Sequence, residues 1–284
     1  MAHSSAIVIT TSDDITLAGI VLSPKSGVAN AVIQFHAGTV VKKEFYLKFC
    51  ASIADQGYEV VLVDFRGVGA SRPAQLRGYQ ASISDWGKKD APAILDWIKA
   101  AYPSLPIYLL AHSMGGQIIG LMSNWHVFEK ITVLASSAGN WNKFEPQYRR
   151  KVRLASIYLY PIVLRMMGYV PGRLGTGYDW PRGVADEWRS NAMGDSLMSD
   201  YMSWKHGNTQ YQQVDKQIHA IFFTDDYMAT PDTVGDYAKT YPNAKVIVHE
   251  LSHLQFNLPA LKHKLIFKSS AQGPLWDYVL ETLR

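Results

Sequence analysis

The sequence predicts an α/β protein: a mostly parallel, twisted sheet with helices on both faces and an inserted helical cap. Short runs that are apolar throughout, such as "AVIQFH" at 31–36 and "YEVVLVDF" at 58–65, alternate with amphipathic segments. Strands of this kind are typical of parallel sheets that are covered on both faces. The alternation stops after residue 138 and resumes at residue 215, which indicates that a segment of different character interrupts it.

The elements before the interruption follow one another in a regular order. Two β-rich runs flank a turn at Asp13 and predict an N-terminal hairpin. The amphipathic segment from Lys43 to Gln56 predicts a helix, because Gly57 is a residue that commonly ends one. The predicted strands are 31–36, 58–65, 106–112 and 130–137, and the predicted helices are 43–56, 84–102 and 115–124.

The interrupting segment is rich in aromatic and basic residues and predicts an inserted cap. It divides the chain into a first core part at 1–138, the cap at 139–214 and a second core part at 215–284. The second core part predicts strands at 217–223 and 244–250 and helices at 231–241 and 273–284. Large apolar side chains in the cap suit acyl chains or aryl groups, although most of them would form the cap's own core. They are Trp141, Phe144, Tyr148, Tyr158, Tyr160, Met166, Met167, Trp180 and Trp188.

The composition excludes several classes of function. The chain has 284 residues, of which 48% are apolar and 18% charged, as in ordinary globular proteins. A net charge of +4 without long basic blocks argues against nucleic-acid binding. Cys50 is the only cysteine and the N-terminal residues lack the pattern of a secretory signal, so we expect a cytoplasmic protein. The most apolar stretch, 155–170, is shorter than the ~20 residues of a membrane span.

One short motif points to metal chemistry. Residues 249–253 read H-E-L-S-H and match the zinc motif H-E-x-x-H. That motif binds zinc when it lies on a helix, where both imidazoles share one face. Here His249 and Glu250 end the β-rich run "KVIVHE", and the one downstream candidate for a third ligand, His263, fits no known spacing. We therefore interpret the match as chance and expect neither a metal nor another cofactor.

A second motif points to a nucleophile. Ser113 is the central residue of A-H-S-M-G, between a predicted strand and a predicted helix, one substitution away from the nucleophile elbow G-x-S-x-G. Small residues two positions before and after the serine keep the neighbouring backbone from clashing, and Ala111 and Gly115 fill these positions. The N–H of Met114 then points to where an oxyanion would form.

These features resemble the α/β-hydrolases from the N-terminal hairpin to the C-terminal helix. The resemblance is carried by D-x-R-G-x-G-x-S at 64–71, by "AHSMGGQ" at 111–117 and by "FFTDDYMATP" at 222–231. Within the superfamily, the chain is most similar to little-characterised serine hydrolases near the monoacylglycerol-lipase and serine-aminopeptidase-like group. The resemblance implies a serine hydrolase and does not define its substrate.

The resemblance also implies a catalytic triad in the chain order Ser, Asp, His. Ser113 is the expected nucleophile. The loop after the penultimate strand would supply the acid, and the spacing to the following small residue and proline favours Asp226, with Asp225 as the alternative. The loop after the last strand would supply the base, for which we predict His253. His253 would take the proton of Ser113 and return it to the leaving group.

A second oxyanion donor is expected in the loop after the first parallel strand. The family typically has His-Gly there, whereas this chain has His36-Ala37-Gly38. We expect the N–H of Gly38 to be the donor, with Thr39 as the alternative. His36 and His112 are expected to have structural roles.

The predicted reaction is hydrolysis of carboxylic esters or thioesters with small to medium acyl or aryl groups. The alternatives are an aminopeptidase or amidase of the proline-iminopeptidase type, an acyltransferase and a non-catalytic binding protein of the same fold. An aminopeptidase would bind the substrate amine with acidic cap residues, for which Asp179, Asp186 and Glu187 are candidates. The basic residues of the run 149–153 would allow a weak contact between the cap and a membrane surface. The oligomeric state is left open.

Overall fold

The computed structural model of the protein describes residues 2–138, 140–174, 177–194 and 197–284. Within these residues, eight strands form one sheet and two short strands form a separate ribbon. In chain order the strands are β1 His3–Thr10, β2 Thr16–Ser23, β3 Ala31–His36, β4 Tyr58–Val63, β5 Ile107–His112, β6 Lys130–Leu134, β7 Tyr169–Val170, β8 Trp180–Pro181, β9 Gln217–Phe223 and β10 Lys245–Leu251.

The helices alternate with the strands of the large sheet and also fill the interval between β6 and β9. They are α1 Leu47–Ala54, α2 Ile83–Asp85, α3 Ala91–Ala101, α4 Met114–Gln117, α5 Pro146–Leu154, α6 Tyr160–Met167, α7 Arg182–Met193, α8 Met198–His206, α9 Pro231–Thr240 and α10 Pro274–Glu281. One π-helical turn joins α2 to α3 and another joins α5 to α6, so each pair forms one continuous helical segment.

The large sheet has the strand order β1-β2-β4-β3-β5-β6-β9-β10. The six strands that follow β2 in this order, from β4 to β10, are all parallel to their neighbours among these six. Strand β2 is antiparallel to both β1 and β4. Every residue of β3 and β4 is buried, because helices cover both faces of the sheet. The predicted mostly parallel α/β-hydrolase sheet with its N-terminal hairpin is confirmed.

The core lies in two layers, one on each face of the sheet, because successive strand residues point to opposite faces. Val32 of β3 packs in one layer, together with Leu95 and Ile98 of α3. Its neighbour Ile33 packs in the other layer, with Phe49 of α1 and Trp276 of α10. The sheet therefore carries α3 on one side and α1 and α10 on the other.

The segment predicted as a cap leaves the sheet after β6 and returns at β9. In the described part of this segment the chain forms α5 to α8 and the β7–β8 ribbon. The continuous segment from α5 to α6 exposes six large apolar side chains, which we call the apolar stripe: Leu154, Ile157, Tyr158, Leu159, Ile162 and Met166. No helix in the described ranges is long and apolar enough to cross a lipid bilayer.

Candidate active site

The turn between β5 and α4 holds Ser113 in a backbone conformation that few residues adopt. Its φ is 52° and its ψ is −118°, a region that costs about 1–3 kcal/mol for a residue with a side chain. The start of α4 approaches the end of β3 so closely that position 115 requires glycine: a Cβ on Gly115 would lie 2.6 Å from the carbonyl oxygen of His36. The predicted nucleophile elbow therefore has the geometry that its small residues require.

Ser113 stands at one end of a line of three hydrogen-bonded side chains. Its Oγ lies 2.9 Å from Nε2 of His263, and Nδ1 of His263 lies 2.8 Å from Oδ2 of Asp226. All three residues are buried. Because a carboxylate can only accept, Nδ1 of His263 carries the proton, and Nε2 is free to accept the hydroxyl proton of Ser113.

The histidine in this position is not the one that the sequence analysis predicted. His253 lies in a 3₁₀ turn directly after β10, where its Nδ1 is 2.7 Å from the carbonyl oxygen of Leu258. The chain then continues to residue 263 before it passes over Ser113. The placement of His253 beside Ser113 is therefore wrong. The sequence offers two histidines after the last strand, and no signal in it distinguishes them.

The two neighbouring aspartates hold different parts of this site. Oδ1 of Asp226 accepts the N–H groups of Met228 and Ala229, at 2.8 and 3.1 Å, which leaves Oδ2 to His263. The carboxylate of Asp225 accepts the N–H groups of Leu261 and Lys262, at 2.9 and 3.0 Å. The preferred candidate, Asp226, contacts the histidine, and Asp225 anchors the loop that carries it.

The predicted oxyanion donors differ in whether their N–H groups are free. Met114 is the first residue of α4, so its N–H has no partner within the helix. The N–H of Gly38, in contrast, donates to Oη of Tyr46 at 3.0 Å, which corrects the choice of Gly38. Thr39 lines the cavity above Ser113, and in the described ranges its N–H makes no hydrogen bond. The alternative, Thr39, is the better placed of the two.

A buried chain of hydrogen bonds links the Gly38 loop to the backbone of His263. Oη of Tyr46 accepts from Gly38, so its proton is free for Nδ1 of His112, 2.8 Å away. Nε2 of His112 then carries the ring proton and donates to the carbonyl oxygen of His263 at 3.0 Å. Burial holds the pKa of His112 well below its ordinary value, so this imidazole is neutral. No motif in the sequence marks Tyr46 as part of this site.

His36 supports the other side of the elbow. Its Nδ1 donates to the carbonyl oxygen of Gly115 at 3.1 Å, and its Nε2 accepts from the side-chain amide of Gln34 at 2.8 Å. Burial lowers the pKa of His36 to about 4. A neutral, fully paired imidazole at this place fits the expected structural role.

A cavity of about 530 Å³ lies over Ser113 and His263. Most of its wall is aromatic or aliphatic, and four of the cap aromatics named from the sequence contribute: Tyr148, Tyr160, Trp180 and Trp188. Of the five other large apolar residues that the sequence offers in segment 139–214, Phe144 is buried elsewhere, whereas Tyr158 and Met166 belong to the exposed apolar stripe. The charged residues of the wall are Lys151, Lys262 and Lys264.

The H-E-x-x-H match does not form a helix. His249 and Glu250 belong to β10, and His253 begins the 3₁₀ turn after it. The side chain of His249 instead lies between those of His219 and Tyr278, at 2.9 Å from each. The two histidines of the motif therefore lack the shared helical face that its chemistry requires.

The family model described as serine aminopeptidase, S33, matches residues 27–168. Solved structures with the same fold include an esterase of Pyrococcus furiosus, 17% identical, which covers 99% of this chain and 92% of its own with a TM-score of 0.61. A soluble variant of the monoglyceride lipase of Saccharomyces cerevisiae, bound to a substrate analogue, is 13% identical. The match covers 99% of this chain and 95% of the lipase, with a TM-score of 0.67. A putative hydrolase of Agrobacterium vitis is 15% identical, with full coverage of both chains and a TM-score of 0.62. No curated protein sequence matches the chain significantly.

Proposed function

Because the chain belongs to the serine aminopeptidase S33 family of α/β-hydrolases, we propose that it is a serine hydrolase that cleaves carboxylic esters or thioesters. The observation that carries this proposal is the line from Ser113 through His263 to Asp226, with distances of 2.9 and 2.8 Å. A serine, a histidine and a carboxylate in this order constitute the machinery of acyl transfer. The acyl group of the substrate would become bound to Ser113 and then be released by water.

The steps of the proposed reaction follow from which atoms can accept a proton. Nε2 of His263 takes the proton of Ser113 as Oγ attacks the carbonyl carbon, and the imidazolium then protonates the leaving alcohol or thiol. Asp226 keeps His263 in the required tautomer and stabilises its positive charge. The N–H groups of Met114 and Thr39 would bind the oxyanion, since each is free of an acceptor within the described structure. His263 next activates a water molecule that releases the acid.

Ester cleavage is favoured over aminopeptidase activity by the charges around the cavity. A substrate amine needs a carboxylate, and none of the described residues that line the cavity is Asp or Glu. The three cap carboxylates considered from the sequence have cationic partners elsewhere. Asp179 pairs with Arg72 at 2.8 Å, Asp186 with Arg182 at 3.6 Å and Glu187 with Lys205 at 3.2 Å.

The proposed function is tested by covalent labelling together with a substrate panel. A fluorophosphonate should label the wild-type protein and leave Ser113→Ala unlabelled, because only an activated serine attacks the phosphorus centre. p-Nitrophenyl esters of graded chain length should be hydrolysed, and an aminoacyl p-nitroanilide should not. Labelling of both proteins to the same extent would exclude Ser113 as the nucleophile. Release of acyl groups to an added alcohol in preference to water would instead indicate an acyltransferase.

The apolar stripe supports a second part of the proposal, a contact between the cap and an anionic lipid surface. Its side chains are exposed although they are large and apolar, as Met166 at 69% and Tyr158 at 63% show. The same helical segment carries exposed cations at Arg150, Lys151 and Arg153. A helix that combines an exposed apolar face with basic residues is typical of a surface that lies on a bilayer. Lys151 also lines the cavity, so this contact would lie close to its mouth.

A further inference from the structure

The cavity carries positive charge on both sides of its histidine. Lys262 and Lys264 flank His263 in the sequence, and both line the cavity. Lys151 of α5 lines it from the cap. In the part of the chain that the structure describes, no carboxylate lies within ion-pair distance of any of these three lysines. The wall therefore has three cationic side chains and no described anion.

Lys264 is the most unusual of the three lysines. Its side chain is partly buried, and this burial lowers the pKa of its ammonium group. It lies close enough to His112 to contribute to the lowered pKa of that imidazole. A partly buried ammonium group without a counter-ion is costly, and an anion bound in the cavity would remove that cost.

We propose that the cavity binds esters or thioesters that carry an anionic group, and that Lys264, with Lys262 and Lys151 around it, holds that group. The shared chemistry is a carboxylate or phosphate on either the acyl or the alcohol part of the substrate. This inference rests on the proposed hydrolase function and adds the substrate class.

The reaction itself gives a physical reason for such a substrate. His263 becomes positively charged when it takes the proton of Ser113, and nearby ammonium groups disfavour that charge. An anion held by Lys264 offsets these cations at the moment when the imidazolium forms. The charge on the substrate would thus contribute to the transition state as well as to binding.

Two matched substrate pairs test the inference and distinguish the two positions of the anion. For the acyl part, p-nitrophenyl hydrogen glutarate is compared with p-nitrophenyl 5-methylhexanoate, in which an isopropyl group replaces the carboxylate. For the alcohol part, 4-butanoyloxybenzoate is compared with its methyl ester. The value of kcat/KM is measured at low ionic strength for wild type and for Lys264→Gln, Lys264→Arg and Lys268→Gln. Lys268 is an exposed lysine outside the cavity and serves as the matched control.

In at least one pair, the ratio of kcat/KM for the charged over the neutral substrate should fall at least about tenfold in Lys264→Gln, the loss expected for one hydrogen bond to a charged group. Lys264→Arg should retain most of the ratio, and Lys268→Gln should leave it unchanged. In the wild type, the same ratio should fall with added salt, because the interaction is electrostatic. The responding pair identifies the part of the substrate that carries the anion.

The inference is overturned if the charged-to-neutral ratio is the same in wild type and Lys264→Gln for both pairs. A ratio in the wild type that does not respond to salt would also contradict it, and this second measurement needs no variant to fold. In both cases hydrolysis of the neutral esters that depends on Ser113 would leave the proposed function standing. If no ester is hydrolysed and no fluorophosphonate label is incorporated, the proposed function itself fails.

Discussion

At the residue scale, the proposed assignment of the base depends on which of two histidines contacts Ser113. His263 has both of its ring nitrogens in the line between Ser113 and Asp226, whereas Nδ1 of His253 is held by the carbonyl oxygen of Leu258. Two histidines that follow the same strand therefore have different surroundings. One contacts both a serine and a carboxylate, and the other closes a turn.

Replacement of the two histidines should separate their roles. His263→Ala should reduce kcat by about 10⁴-fold or more, because the base and its carboxylate partner act as one unit. His253→Ala should stay within roughly tenfold of wild type, about 1.4 kcal/mol in the barrier. The measurement is kcat with p-nitrophenyl butanoate, with circular dichroism to show that both variants are folded. An inactive His253→Ala beside an active His263→Ala would reverse the proposed assignment of the base.

The sequence predicted the serine and the carboxylate of this hydrogen-bonded line but not its histidine. Ser113 and Asp226 could be predicted because each follows a buried strand at a short distance that a motif defines. The position of His263 depends on hydrogen bonds that the N–H groups of Leu261 and Lys262 donate to Asp225. Asp225 is distant from both of them in the sequence. The N–H of Gly38 is taken up by Tyr46, eight residues further along the chain, and no motif indicates this contact.

At the element scale, the strands were predicted well and the helix after Ser113 was not. The sequence predicts one helix over 115–124, whereas α4 ends at Gln117 and a 3₁₀ turn follows. The carbonyl oxygen of Gln117 accepts the hydroxyl protons of Tyr211 and Tyr241, at 3.1 and 3.0 Å. These contacts occupy an oxygen that would otherwise bind an N–H one turn later. Such long-range partners cannot be read from local periodicity.

The helical segment from α5 to α6 leads to a prediction about membranes. Binding to vesicles that contain phosphatidylserine should weaken at least about tenfold in the double variant Ile162→Ser and Met166→Ser, because each buried apolar side chain contributes roughly 1.5–3 kcal/mol. Leu254→Ser is the matched control, since Leu254 is 74% exposed and lies outside the apolar stripe. Co-sedimentation measures the binding. Equal binding of the double variant and wild type would show that the apolar stripe does not contact lipid.

At the scale of the whole molecule, the buried histidines connect stability to pH. His36 is fully buried and neutral, and its pKa is lowered to about 4 in the folded protein. The unfolded chain binds a proton at this residue near its ordinary pKa of 6.5. Between these two values the unfolded state holds more protons, so the free energy of unfolding should decrease as the pH falls from 6.5 to 4.

The contribution of His36 can be isolated with a variant that does not titrate. In wild type, protonation of His36 should lower the free energy of unfolding by roughly 3 kcal/mol between pH 6.5 and pH 4. His36→Asn keeps a donor near Nδ1 but has no titrating ring, so its urea-unfolding free energy should depend less steeply on pH over this range. If both proteins show the same slope, protonation of His36 does not contribute to acid unfolding.

The anchoring of the histidine loop by Asp225 has a consequence for how such enzymes can diverge. The imidazole is located by two peptide N–H groups, those of Leu261 and Lys262, and not by the length of the connection from β10. The chain between residue 252 and residue 260 could therefore grow or shrink over evolutionary time without moving His263. In related proteins, the number of residues after the last strand is then a poor guide to the position of this histidine. A better guide is the loop whose N–H groups bind a carboxylate in the turn after the penultimate strand.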